Sequence, residues 1–234
     1  MMSIICVYNN KDILDEYLIK SLNEQTEDFE LILVDNRNNR FNSASSALNY
    51  GAEEAHGDYF VFAHQDINFS DKNWVKDTFN QLKLLDNVGI VGVAGKTVDS
   101  IVRSNIKQGL DPVDVSPFKI DEAVCASTLD ECLFIIPREV FNKYPLDEDT
   151  CDDWHLYAVD YVYNIKNNGF EAYIIPTNLE HRSKGASMNE NYYSTLPKLQ
   201  KKYLKRGLIR TCMGDWFTFI PIPIQRLVKR FKNY

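Results

Sequence analysis

Short apolar runs alternate with amphipathic stretches along the first hundred residues of the chain. Residues 3–8, 30–34 and 58–63 are each too short for a buried helix and are rich in β-branched and aromatic side chains, so they predict buried strands. Between them, residues 12–22 set Ile13, Tyr17 and Leu18 on one face of a helix. Ser43 stands where it can cap a second helix running through Ala47, Leu48, Ala52 and Ala55. A third helix carries the stripe Trp74, Val75, Phe79, Leu82 and Leu85, with Ser70 as its expected cap, and a fourth strand follows at 88–93. This order predicts a parallel sheet with helical crossovers.

Beyond Gly95 the rhythm loosens. Residues 97–130, interrupted by Pro112 and Pro117, predict a loop-rich insertion over the sheet. A strand resumes at 132–136 before Pro137. A helix is expected over 153–166, stopped by Asn167-Asn168-Gly169, and a last strand over 172–175. A polar loop at 184–191 and a basic helix at 196–204 complete the pattern, with no internal repeat.

Composition narrows the class. A chain of 234 residues that is 44% hydrophobic can bury one sizeable domain. No apolar run reaches the roughly 18 residues a bilayer span needs, and no basic start leads into an apolar leader. Cys6, Cys125, Cys132, Cys151 and Cys212 are odd in number and scattered, which favours reduced thiols in a cytoplasmic protein. The net charge of -7 hides an asymmetry: from Lys198 onward ten Lys and Arg face Asp215 alone, so that segment is +9 and the remainder -16. An acidic body argues against nucleic-acid binding.

The chemistry sits where strands end. Asp35 closes the second strand and His64-Gln65-Asp66 follow the third, and ligands of open α/β sheets bind outside such carboxyl ends. No G-x-G-x-x-G follows the first strand, which excludes a dinucleotide cofactor of the usual kind. Gly92 to Thr97 ends in Gly-Lys-Thr without the first glycine of a phosphate loop, so that near-match is coincidence.

These residues resemble the family-two nucleotide-sugar glycosyltransferases, which have the GT-A fold. The resemblance rests on Ser3-Ile4-Ile5-Cys6-Val7-Tyr8-Asn9, Leu31-Ile32-Leu33-Val34-Asp35-Asn36, Asn49-Tyr50-Gly51 and Ala55-His56-Gly57-Asp58-Tyr59. The family's metal-binding Asp-x-Asp falls on His64-Gln65-Asp66, a variant similar to a subgroup first associated with streptomycin biosynthesis. Asp130-Glu131, the run from Trp154 to Tyr161, and Glu180-His181-Arg182-Ser183 extend the likeness over residues 3–204. It implies an α/β GT-A domain at 1–205, with a mixed, mostly parallel sheet flanked by helices, followed by a basic and aromatic tail at 206–234.

The resemblance further implies transfer of a sugar from a nucleoside diphosphate, with a UDP-sugar the expected donor, to a hydroxyl of a glycan or lipid-linked acceptor with inversion. Mn²⁺ or Mg²⁺ would neutralise the leaving diphosphate, with Asp66 as anchoring carboxylate and His64 and His181 as further ligands; His64 as a hydrogen-bonding shelf is the other reading. Val7, Tyr8, Asn9, Asp35, Asn36 and Asn49 would hold the nucleotide, although Tyr8 can equally be core and Asn49 a loop brace. Asp130 and Glu131 would bind acceptor hydroxyls.

Inverting members use a Glu-Asp pair at the start of a late helix as base, and here that pair falls on Tyr157-Ala158, which cannot do it. Asp153 or His155, just upstream, takes the role, with helix capping the alternative for Asp152 and Asp153. Without such a base the chain would bind a nucleotide-sugar or a partner without turnover. A nucleotidyltransferase is the third reading, but residues 8–11 lack its glycine-rich basic loop. The tail, with Trp216, Phe217, Phe219 and Ile220 before Arg226, Lys229, Arg230 and Lys232, suits an anionic membrane surface; packing on its own domain or on a homodimer partner is the alternative.

Overall fold

The computed structural model describes residues 1–183 and 188–232, so part of the expected polar loop at 184–191 lies outside the described residues. Seven strands form the central sheet: β1 (Met2–Tyr8), β2 (Glu30–Asp35), β3 (Tyr59–Ala63), β4 (Val88–Gly92), β5 (Val124–Cys125), β6 (Leu133–Pro137) and β7 (Glu171–Ile174). Their order across the sheet is β5-β7-β4-β6-β3-β1-β2. β1 is parallel to β2 and β3, and β7 to β4, whereas β6 runs antiparallel between β3 and β4. The carboxyl ends of β1, β2, β3, β4 and β7 therefore share one rim. The reversed β6 delivers its leading residues, Asp130 to Cys132, to that same rim, and His64 N–H donates to the Cys132 carbonyl at 2.9 Å.

Both faces of the sheet are covered, which explains why its strands read as near-continuous apolar runs. Phe60 and Phe62 of β3 point to one side, where Phe62 stacks on Phe134 at 5.0 Å, while Val61 and Ala63 point to the other. The first side holds the helices Ala44–Glu53, Tyr157–Asn167 and Glu190–Lys202; the second holds the helical segment 11–22 and the helix Trp74–Leu82. Each fully buried leucine in these layers contributes about 2 kcal/mol by leaving water.

Several local signals act as expected. The Ser43 hydroxyl accepts from Ser46 N–H at 3.2 Å and caps its helix. Gly169 adopts φ +85° just past the helix Tyr157–Asn167, a conformation that costs a side-chain-bearing residue. Gly51 is needed for contact, since a Cβ there would lie 2.7 Å from Ile5 Cγ2 and 2.9 Å from Val34 Cγ2.

Other expectations shift. Segment 11–22 contains a π-helical turn, Asp15–Ile19, which rotates the inward face onto Leu14, Leu18 and Leu22 and leaves Ile13 and Tyr17 half-buried. Ser70 does not cap the next helix; the Asp71 carboxylate accepts from Asn73 N–H just before it. The late helix begins at Tyr157 because Leu156 takes a left-handed φ of +68°. Neither Asp152 nor Asp153 caps it: Asp152 pairs with Lys198, and Asp153 accepts from its neighbour Trp154 N–H at 2.6 Å and from Asn191 at 3.1 Å.

The basic helix starts six residues early, at Glu190, with Pro197 inside it. After it, a hairpin (Leu208–Thr211 and Gly214–Phe217) and a last helix, Ile222–Lys232, place Ile209, Trp216 and Ile222 in the same core as the helix Tyr157–Asn167. Pro223 falls in the first turn of that last helix, where its missing N–H is no loss.

Candidate functional site

The strand rim opens into a cleft of about 1010 Å³. At its floor the two-residue strands Ile67–Asn68 and Glu180–His181 pair antiparallel and set His181 opposite Ile67, beside Asp66. This ladder is closed by Arg182 N–H donating to the Asp66 carbonyl at 3.1 Å and by Asn68 donating to Glu180 at 3.1 Å. The result is a cluster of one ligand atom each from His64, Asp66 and His181, all within 4.8 Å of one another. His181 Nε2 lies 3.3 Å from Asp66 Oδ1 and 3.4 Å from His64 Nδ1, and the far nitrogen of His64 meets Tyr157 Oη at 3.2 Å.

The protonation states suit a cation. Burial, with the neighbouring His181 adding to it, pushes His64 down to about 4, so its imidazole is neutral and free to donate a lone pair. Burial alone would raise Asp66, but the hydrogen bond and charge of His181 outweigh it and hold the carboxyl below its usual value. Two imidazoles and one carboxylate form a mixed nitrogen–oxygen donor set. That set fits Mn²⁺ better than Mg²⁺, which prefers oxygen throughout.

Beside the cluster, Gln65 ties the two key loops together. Its carbonyl accepts from Asn9 N–H at 3.1 Å and Asn10 N–H at 3.0 Å, and its amide donates to Asn9 Oδ1 at 2.8 Å. Gln65 lies in the rim motif, but its bridging role was not legible, because its partners lie 55 and 56 positions away.

Of the residues expected to hold a nucleotide, Val7, Tyr8, Asn9 and Asn36 line the cleft. Asp35 closes β2 on the same rim but is outside the lining. Its carboxylate is gripped by the Arg37 guanidinium at 2.6–3.0 Å, which holds it well below the usual carboxylate range. Asn49 also stands away from the cleft. It donates to the Leu146 carbonyl at 2.9 Å and accepts from Leu146 N–H at 3.1 Å, the bracing alternative rather than a ligand contact. Asn36 is buried and holds the 36–41 turn through Phe41 N–H at 2.8 Å.

The other part of the lining comes from residues far apart in the chain. Asp130 and Glu131 arrive at the head of β6, Trp154 and His155 on the loop before the late helix, and Thr211 to Met213 at the turn of the hairpin. Glu131 sits against the free amides that open the helix Tyr157–Asn167, with Ala158 N–H at 3.4 Å. Burial and the charge of Asp130 push its carboxyl up to about 8, against the pull of those amides. His155 reaches the cleft and Asp153 does not. Burial lowers His155, opposed by the nearby Asp153 charge, so the imidazole is neutral at pH 7.

Among the described residues, none of those lining the cleft is Lys or Arg, while Asp66, Asp111, Asp114, Asp130 and Glu131 all contribute to it. Lys96 of the Gly-Lys-Thr near-match is buried and paired with Asp215 at 2.8 Å, away from any phosphate role. All five cysteines are free thiols.

Solved structures share the architecture. The chain is similar to the mannosyltransferase PcManGT from Pyrobaculum calidifontis in complex with GDP-Man and Mn²⁺, with a TM-score of 0.58 and 15% identity over 94% of this chain and 67% of that one. It is similar to GalNAc-T7 with UDP, GalNAc and Mn²⁺, at a TM-score of 0.61 and 13% identity, covering 86% of this chain and 47% of that one. It is also similar to a TarS fragment from S. aureus in complex with UDP, at 0.56 and 15%, covering 87% of this chain and 65% of that one. These likenesses show the GT-A fold: a large mixed sheet flanked by helices. In sequence, the chain is 25% identical over 179 residues, 69% of each partner, to "ATP synthase subunits region ORF 6" of Fuscovulum blasticum. Residues 3–205 match the family described as "Glycosyltransferase like family", and the chain belongs to that family.

Proposed function

We infer that this chain transfers a sugar from a nucleoside-diphosphate sugar to an acceptor hydroxyl with the help of a divalent cation. The observation that carries the reading is the His64–Asp66–His181 cluster in a cleft whose described lining offers carboxylates but no Lys or Arg. A diphosphate entering finds Asp66, Asp111 and Asp130 but no described Lys or Arg in the lining, so a cation must accompany it. His64, Asp66 and His181 are the residues to hold that cation. When bound there, it supplies the positive charge that a departing diphosphate requires. PcManGT and GalNAc-T7, which share the fold, carry nucleotide or nucleotide-sugar together with Mn²⁺.

The remaining roles follow from position. Val7, Tyr8, Asn9 and Asn36 border the nucleotide, with Asp35 acting one layer back by fixing Tyr8 and Arg37 at the rim. A UDP-sugar is the donor proposed. His155 accepts the proton of the acceptor hydroxyl, consistent with an inverting displacement, and Asp153 stabilises the imidazolium so formed. Asp130 and Glu131 face the acceptor, a glycan or lipid-linked hydroxyl, and Glu131 also caps the late helix through space. Residues 1–205 carry this machinery, and 206–234 form an appended segment whose hairpin turn borders the cleft.

The test is thermal unfolding with UDP and Mn²⁺ together and apart. Protection that needs both and vanishes in Asp66→Ala supports the reading; melting unmoved by every nucleotide and metal pair overturns it. The missing carboxylate pair at Tyr157-Ala158 motivates a second reading, nucleotide-sugar binding without turnover. Release of UDP from a UDP-sugar, reduced by His155→Gln, excludes that alternative.

A further inference from the structure

The last helix turns its apolar face outward. Ile222 and Gln225 point into the protein and are buried, whereas Ile224, Leu227, Val228 and Phe231 are 48–73% exposed. Their spacing of i, i+3, i+4 and i+7 is that of a helix face made to be covered. Phe217 and Phe219, on the segment just before, are exposed as well and lie 5.5 Å apart ring to ring. Scattered exposed apolar residues such as Leu84 need no explanation, but a contiguous stripe does.

The charge around the stripe selects what covers it. The helix Ile222–Lys232 has no acidic residue; Arg226 and Lys229 turn inward, onto Glu190 at 2.8 Å and the Asp215 carbonyl at 2.7 Å, whereas Arg230, beside the stripe, is exposed and Lys232 follows it in the sequence. Pairing two copies of this helix stripe to stripe offers Arg230 no acidic partner, because the helix has none. An anionic surface meets Arg230 favourably, while it repels the charge of -16 that the chain carries before Lys198.

We propose that the exposed stripe of the last helix, with Phe217 and Phe219, docks this protein onto an anionic phospholipid bilayer, the helix lying in the interface. No helix among the described residues is long and apolar enough to cross a membrane, so the contact is peripheral. The hairpin that bears Phe217 at one end lines the cleft with Thr211, Cys212 and Met213 at the other, roughly 10 Å away along the strands. An acceptor held at the bilayer surface thus lies within reach of the site; that last step rests on the transferase reading, and the docking itself does not.

The experiment is flotation of the full chain with vesicles of phosphatidylcholine alone or with phosphatidylglycerol added. The protein is expected to float with the anionic vesicles only, to be released by high salt, and to lose about tenfold or more of its bound fraction in Leu227→Ser/Phe231→Ser. Both side chains are exposed, so the variant is expected to melt like the parent, and UDP with Mn²⁺ is expected to protect both equally. No flotation with anionic vesicles, or flotation that the double substitution leaves unchanged, overturns the proposal. So does a concentration-dependent dimer in sedimentation that the double substitution abolishes while neither form binds vesicles.

Discussion

Two parts of the cleft lining differ in how far along the chain their residues are gathered. The part at the ends of β1, β2 and β3 draws on residues 7–9, 36 and 64–66, each at the end of a strand whose register is set by six or four paired residues. The part facing it draws on 102–115, 129–131, 154–159, 192 and 211–213, most of them on loops, short ladders or a helix start with a left-handed Leu156. Strand ends are rigid and repeat the same geometry, which suits a nucleotide common to many reactions. Loops on a rigid base vary freely, which suits the acceptor. On the transferase reading, the first part answers to loss of a ligand atom, while the second answers both to loss of a side chain and to damage in its support.

The largest effect is expected at the first part. Asp66→Ala removes the carboxylate of the cluster, and turnover should fall about 10³-fold together with loss of Mn²⁺-dependent UDP protection. If turnover falls while that protection stays, ligation is not what the strand ends provide. His155→Gln tests the opposite part. The expectation is a fall of about 10²-fold in kcat with UDP affinity unchanged by calorimetry, since only proton transfer is removed. A matching loss of UDP affinity would show that the two parts are not separable.

Support comes next. A Cβ at Gly89 of β4 would come within 1.8 Å of Ile165 Cγ2 on the late helix, so Gly89→Ala should cost about 2 kcal/mol in urea unfolding. At equal folded fraction it should impair turnover more than UDP binding, because that helix supports His155 and Glu131.

The smallest effect is a pH dependence. Burial alone would raise Asp147, but hydrogen bonds from Lys202 at 2.6 Å and Thr150 at 2.7 Å hold its carboxyl down at about 2. A depressed carboxyl stabilises fully above its unfolded value near 3.8 and loses that contribution as pH falls toward 2. After allowing for solvent screening this amounts to about 1 kcal/mol, and Asp147→Asn should flatten the acid limb of the melting curve by that amount. Asp160, on the same Lys202 ammonium, is pushed the other way by burial, so the substitution at Asp147 isolates the depressed partner.

What could be read in advance follows the same division. β1, β2, β3 and the cap Ser43 were legible because local apolar runs and one hydroxyl decide them. The helix start at Tyr157 was not legible, because Leu156 adopts a left-handed backbone that no local residue signals and that buried packing enforces. The carboxyl that accepts from an opening amide of that helix belongs to Glu131, 27 positions away from Ala158, which a search of neighbouring residues cannot find.

By itself the sequence determined the alternation of strands and helices, the family, and the residue types at the rim, among them His64 and Asp66 at the end of a strand. Those follow from local periodicity and from side-chain chemistry, which need no partner to be recognised. Only the tertiary structure decided that β6 runs backwards and brings Glu131 to the rim. It alone decided that His181 reaches Asp66 across a two-residue ladder and that the last helix packs with its apolar stripe to solvent. Each of these is a choice between segments far apart in the chain, settled by which pairing leaves the fewest buried groups without partners, and no local pattern carries that information.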